Sequence, residues 1–195
     1  MTVRVNKPSF NIREKLTELK HKPIELVSVS TGDISLDSGV EQITGIHETD
    51  HPIYFRINGL SVPSGGPAIF MRWGTEDGYY TASNYSYSST YEQNGTGQNN
   101  AVSSSSGSAQ FHIMAGWTAD ANVHYASFRI QRVGANNAYY MEGSWTNPTY
   151  PEYFVFQTGS LVLGKPLTSI QFYTSNGSAF DAGTISLQYI YERNL

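Results

Sequence analysis

The sequence predicts an all-β protein, an antiparallel two-sheet β-sandwich of jelly-roll type, and three observations predict it. Apolar residues recur at every second position in segment after segment. Turn chemistry separates those segments, and no helical periodicity lies between them. Strands without crossover helices must pair antiparallel, and about ten of them fill two packed sheets. The expected sandwich occupies residues 23–195, behind an N-terminal arm of residues 1–22.

The arm differs in kind from the body of the chain. It carries six of the chain's twelve basic residues, Arg4, Lys7, Arg13, Lys15, Lys20 and Lys22, against Glu14 and Glu18. The body is strongly acidic by comparison and brings the net charge to −4. Residues 1–7 read as extended, and Pro8 keeps Lys7 out of the helical region. Asn11 offers an N-cap with Glu14 as its capping-box partner. Ile12, Leu16 and Leu19 then fall on one face of a short helix that Pro23 stops. So short a helix is marginal alone, and its stripe needs a surface: either the protein's own body or a neighbour.

After Pro23 the period is two. The expected strands are Ile24–Ser30, Val40–Ile46, Ile53–Asn58, Ile69–Trp73, Phe111–Ala115, Val123–Val133, Ala138–Trp145, Tyr153–Gln157, Leu167–Thr174 and Thr184–Tyr191. Turns are expected at Asn58-Gly59, Asp77-Gly78, residues 134–137 and Asn176-Gly177. Residues 81–109 are nearly devoid of aliphatic side chains and hold one charge, Glu92. There Tyr85, Tyr87 and Tyr91 continue a strand, and Asn94 to Ser108 reads as a long exposed loop. Tyrosine among Ser, Gly and Asn is the composition of adaptable contact surfaces, which makes Tyr85, Tyr87 and Tyr91 candidate contact residues. A plain solvated loop is the alternative.

Composition bounds the function. A hydrophobic content of 39% with 14% charged residues marks a folded chain, and no apolar run is long enough to span a bilayer. Zero cysteines removes disulfides, thiolate metal sites and cysteine nucleophiles together. The acidic body argues against nucleic acid, whose phosphates need clustered Lys and Arg.

His47-Glu48-Thr49-Asp50-His51 matches H-E-x-x-H, which in metalloproteases places two imidazoles one helical turn apart on one zinc. Pro52 follows directly, strands flank both sides, and the expected state is a polar inter-strand loop. Glu76 and Asp77, adjacent in a Glu-Asp-Gly turn, do not form the opposed carboxylates of a glycosidase. No nucleophile elbow, P-loop or dinucleotide fingerprint occurs. The sequons at Asn84, Asn94 and Asn176 are what a Ser/Asn-rich chain produces by chance. The expectation is therefore a protein with no catalytic residues, cofactor or metal. A sugar platform has material in Trp73, Trp117, Trp145 and fourteen tyrosines. Trp73 and Trp117 follow the apolar alternation into the core, whereas Trp145 falls near a strand end.

Two segments carry a resemblance. Lys7, Pro8, Asn11, Ile12, Arg13, Glu14, Lys15 and Leu16 match an N-terminal signature of tailed-phage virion structural proteins, particularly those of phages infecting marine bacteria and cyanobacteria. Phe180, Asp181, Ala182, Gly183 and Thr184 are similar to the run leading into the last strand of phage virion β-sandwich proteins. The resemblance implies a virion protein, most simply a capsid decoration or cement protein, trimeric, whose partners are the major capsid protein or tail proteins. Its attachment residues would be Arg4, Lys7, Pro8, Phe10, Ile12, Arg13, Lys15, Leu16 and Leu19. The alternative it implies is a tail-fibre or adhesin component whose sandwich meets a host surface glycan.

Overall fold

The period-two alternation is realised as strands throughout the computed structural model, which describes residues 24–30, 39–62, 67–93, 99–114, 124–146 and 153–192. The attachment arm with its nine candidate residues, the boundary at residues 22 and 23, Asn94 and Trp117 lie outside the described residues. The strands are β1 (Ile24–Ser30), β2 (Val40–Thr44), β3 (Ile53–Ser61), β4 (Ile69–Thr75), β5 (Gly78–Tyr79), β6 (Tyr85–Gln93) and β7 (Asn99–Ser108). They continue as β8 (Phe111–Met114), β9 (His124–Gly134), β10 (Ala138–Thr146), β11 (Tyr153–Val162), β12 (Ser169–Thr174) and β13 (Ala182–Glu192).

A large sheet runs β1-β13-β3-β9-β10-β11-β6-β7, and a small one runs β2-β12-β4-β5 with β8 also on β4. Every pairing is antiparallel. The two sheets pack face to face as an all-β sandwich. The first strand pairs with the last and the second with the next to last. These long-range pairings are those of a wound ribbon, not of a meander.

The alternation decides what lies between the sheets. In β3, Ile53, Phe55 and Ile57 are buried while Tyr54 and Arg56 are exposed. Phe55 stacks on Phe128 of its own sheet, with ring centroids 5.0 Å apart, and meets Phe172 of the small sheet edge-on at 5.5 Å. Such aromatic pairs contribute about 0.5–1.5 kcal/mol beyond the area they bury. Trp73 is fully buried, as its register predicts, against Phe111 and Tyr139.

Three polar heads bridge the layers. The Tyr85 hydroxyl of β6 accepts the Trp73 amide of β4 at 3.0 Å and donates to the Tyr80 carbonyl at 2.9 Å. Tyr139 of β10 accepts the Leu167 amide at 3.0 Å. Buried Gln157 of β11 donates to the His112 carbonyl of β8 at 2.7 Å. The two hydroxyls let large rings enter the core with their polar ends satisfied, whereas Gln157 places only its amide NH2 on a partner and buries its carbonyl oxygen without one.

Two expectations are corrected and a third is extended. Asn94 to Ser108 is not a long exposed loop: from Asn99 it is β7, paired with β6 through Ser86↔Ser106 to Ser89↔Ser103. Poor intrinsic strand propensity is overridden because β6 offers a complete backbone partner. Asn58-Gly59 is not a turn. Gly59, at φ 65°, forms a bulge inside β3 where the register with β9 shifts between Ile57 and Leu60. The Asp77-Gly78 turn stands, but Gly78 and Tyr79 add a short strand on β4.

Candidate functional site

The H-E-x-x-H segment connects β2 to β3 as irregular backbone, so its histidines are not presented from one helix face. His47 stacks flat on Tyr191 with centroids 4.4 Å apart, and its amide donates to the Tyr189 hydroxyl at 2.9 Å. Thr49 donates to the Ile190 carbonyl at 2.6 Å and accepts the His51 amide at 3.0 Å. Arg132 joins Glu48 at 2.9 Å and Asp50 at 3.3 Å. The acid that a metalloprotease would use as base is thus an ion-pair partner fastening the loop to β9. Among the described residues no three His, Cys, Asp or Glu side chains form a metal-holding group.

Glu76 and Asp77 are similarly engaged by Lys165, at 2.9 Å from Glu76 and 2.8 Å from Asp77. Those two hydrogen bonds raise the lysine's pKa above its ordinary value. Both acids are exposed on a turn, as the sequence predicts.

The tyrosine contact residues need correction. Tyr85 is fully buried, and burial pushes its phenol pKa well above the usual range. Tyr87 packs against the core with its ring edge-on to His112. Both face inward because strand alternation in β6 turns the odd positions to the core. Tyr91 belongs to β6, and its side chain lies outside the described residues. Trp145 is buried near the end of β10, not displayed.

The Phe-Asp-Ala-Gly-Thr run has a structural logic. Phe180 is buried in the core, and the Asp181 amide donates to the Ser61 carbonyl at 3.0 Å while its carboxylate accepts the Ser61 hydroxyl at 3.3 Å. Gly183 has φ 117°, and a Cβ there would lie 2.6 Å from the Leu60 Cα. The run therefore locks the start of β13 onto the bulge of β3.

The feature most able to contact another molecule is the outward face of the large sheet. Across strands, one row reads Ser186–Arg56–Ser127–Ser144–Phe156, and the next reads Gln188–Tyr54–Arg129–Glu142–Thr158. Tyr54, Tyr125, Phe154 and Phe156 are each 44–50% exposed. Two depressions lie in this face. One of about 370 Å³ is lined by Tyr54, Arg56, Asn58, Ser186 and Gln188. The other, of about 250 Å³, shares Arg56 and Asn58 and adds Tyr125, Ser127, Ser144 and Phe154. Sequence reasoning missed this face. Alternation in β3 was the available signal, since whatever opposes Phe55 must point outward, but the strands flanking β3 come from distant parts of the chain.

Fold and face together define the class: an antiparallel β-sandwich with a polar, aromatic-studded sheet surface. No family model matches the chain, and no curated protein does. Among solved structures, CG-16, a homodimeric agglutinin from chicken liver, is similar at 11% sequence identity and a TM-score of 0.34, covering 76% of this chain and 98% of that one. At that TM-score the likeness assigns this chain no ligand.

Proposed function

We propose that the chain is a non-enzymatic structural component of a tailed-phage particle, a capsid decoration protein fastened by its N-terminal arm and displaying the sandwich outward. The residues shared with virion proteins at both ends of the chain support this reading, as does the charge break at residue 22. The observation that carries display is the outward face of the large sheet, where four aromatic rings stay about half exposed among polar side chains. In the arm, Ile12, Leu16 and Leu19 fill an apolar groove on a capsid protein or sister subunit while Arg4, Lys7, Arg13 and Lys15 meet acidic rim residues. Burying those three side chains contributes about 1.5–3 kcal/mol each before ordering costs, and a trimer multiplies the effect through effective concentration.

The test is Leu16→Asp. It should strip the protein from particles while leaving the circular dichroism of the sandwich unchanged. Wild-type occupancy by that variant would refute attachment through the arm. The two depressions favour a second reading, a tail-fibre adhesin contacting host glycans. Copy number by quantitative mass spectrometry of purified particles separates the two: hundreds mean head decoration, on the order of a dozen means tail.

A further inference from the structure

Arg56 differs from the other cations of the sandwich. Arg132 pairs with Glu48 and Asp50, Arg129 with Glu142, and Lys165 with Glu76 and Asp77. Arg72 donates to the Ala109 carbonyl and sits over the Tyr173 ring at 4.7 Å. Arg56 alone among the described cations has neither a hydrogen-bond nor an ion-pair partner. It stands where the two depressions meet, and no carboxylate lines either of them. The nearest acid along the rows of this face, Glu142, is held by Arg129 at 3.3 Å.

We propose that the two depressions form one binding site for an acidic saccharide, with Arg56 receiving the carboxylate or sulfate of a sugar ring. A guanidinium left unneutralised beside small hydroxyl side chains is preorganised to donate two parallel N–H bonds to a pair of anionic oxygens. Ser127, Ser144, Ser186, Asn58 and Gln188 surround it with donors and acceptors suited to sugar hydroxyls. Tyr125 and Phe154 supply the apolar faces on which a pyranose ring lies. One cation in a sandwich of acidic balance does not suit a nucleic acid, whose densely spaced phosphates need several. An acidic saccharide rests on the glycan-contact reading and gives it a ligand class, wherever in a particle the protein sits.

The experiment is calorimetric titration of the full chain with a galacturonic acid tetramer, a chondroitin sulfate tetrasaccharide and neutral cellotetraose. At least one acidic probe should bind about tenfold or more tighter than cellotetraose, and Arg56→Gln should abolish that advantage. Arg56→Lys should recover only part of it, because an ammonium cannot form the fork. Raising salt from about 0.1 M to about 1 M should weaken the acidic probe and leave cellotetraose unaffected. The response of the two acidic probes tells carboxylate from sulfate. Arg56 is exposed and unpartnered, so an unchanged melting temperature certifies that the variants are folded. Equal binding of neutral and acidic probes, or an Arg56→Gln protein that binds like wild type, overturns the anionic assignment while the glycan-contact reading stands. Silence toward all three probes overturns both.

Discussion

The hydroxyl of Tyr85 accepts the backbone amide of Trp73 at 3.0 Å across the sandwich, tying β6 of one sheet to β4 of the other. Phe111 packs against both rings, 4.8 Å from Tyr85 and 4.6 Å from Trp73. A residue whose sequence context suggested surface contact is therefore a fastener of the core.

Tyr85→Phe keeps the ring and removes the acceptor, leaving the Trp73 amide buried without its partner. Such losses cost about 1–3 kcal/mol. Urea unfolding should show that decrease with an unchanged slope, and Tyr85→Ala should cost about 3–5 kcal/mol by adding a cavity. An unaltered midpoint for Tyr85→Phe would mean that the bond contributes nothing net.

Gly183→Ala should destabilise strongly. Its φ of 117° is left-handed, and the new Cβ would meet the Leu60 backbone, which cannot swing aside as a side chain could. Gly177→Ala is the control, because φ there is also positive but nothing lies within 4 Å of the new atom. Melting temperatures should fall much further for Gly183→Ala than for Gly177→Ala.

Stability should decline as pH rises past 10. Burial raises the folded-state phenol pKa of Tyr79, Tyr85, Tyr139 and Tyr173 above the ordinary value of 10.0. Above pH 10 the unfolded chain releases those protons and the folded one keeps them, so the folded state binds more protons and loses stability with each further increment. Phenolate absorbance measured against pH should show these groups titrating late, together with loss of tertiary structure. Titration of every tyrosine near pH 10 without unfolding would contradict the burial.

Zinc should not stabilise the protein through His47 and His51. The segment is irregular, His47 is stacked on Tyr191, and Glu48 is held by Arg132. A tenfold excess over a tight site would raise stability measurably. A zinc-dependent rise in melting temperature, lost in His51→Ala, would show that the two imidazoles do converge.

Much of the fold was legible in single residues. The alternation of Ile53, Phe55 and Ile57 with Tyr54 and Arg56 predicted both a strand and which side chains it buries, because side-chain direction in a strand has a period of two whatever its neighbours. Pro52 ruled out a helix at the second histidine for an equally local reason. The β6 segment reads as strand, but Ser and Thr stand between its tyrosines and no aliphatic alternation marks a buried face, so nothing local says that Tyr85 and Tyr87 point into the core.

Alternation, turn chemistry and Pro52 determined, from sequence alone, the all-β class, most strand positions and the irregular state of the His47–His51 segment. Tertiary structure alone decided that the serine-rich stretch becomes β7, that Asn58-Gly59 is a bulge, and that Arg56 faces Ser127 and Ser186 with no acid beside it. The physical reason is that alternation reports which way a side chain points, while its neighbours depend on pairing between strands far apart in the chain, whose register no local signal records.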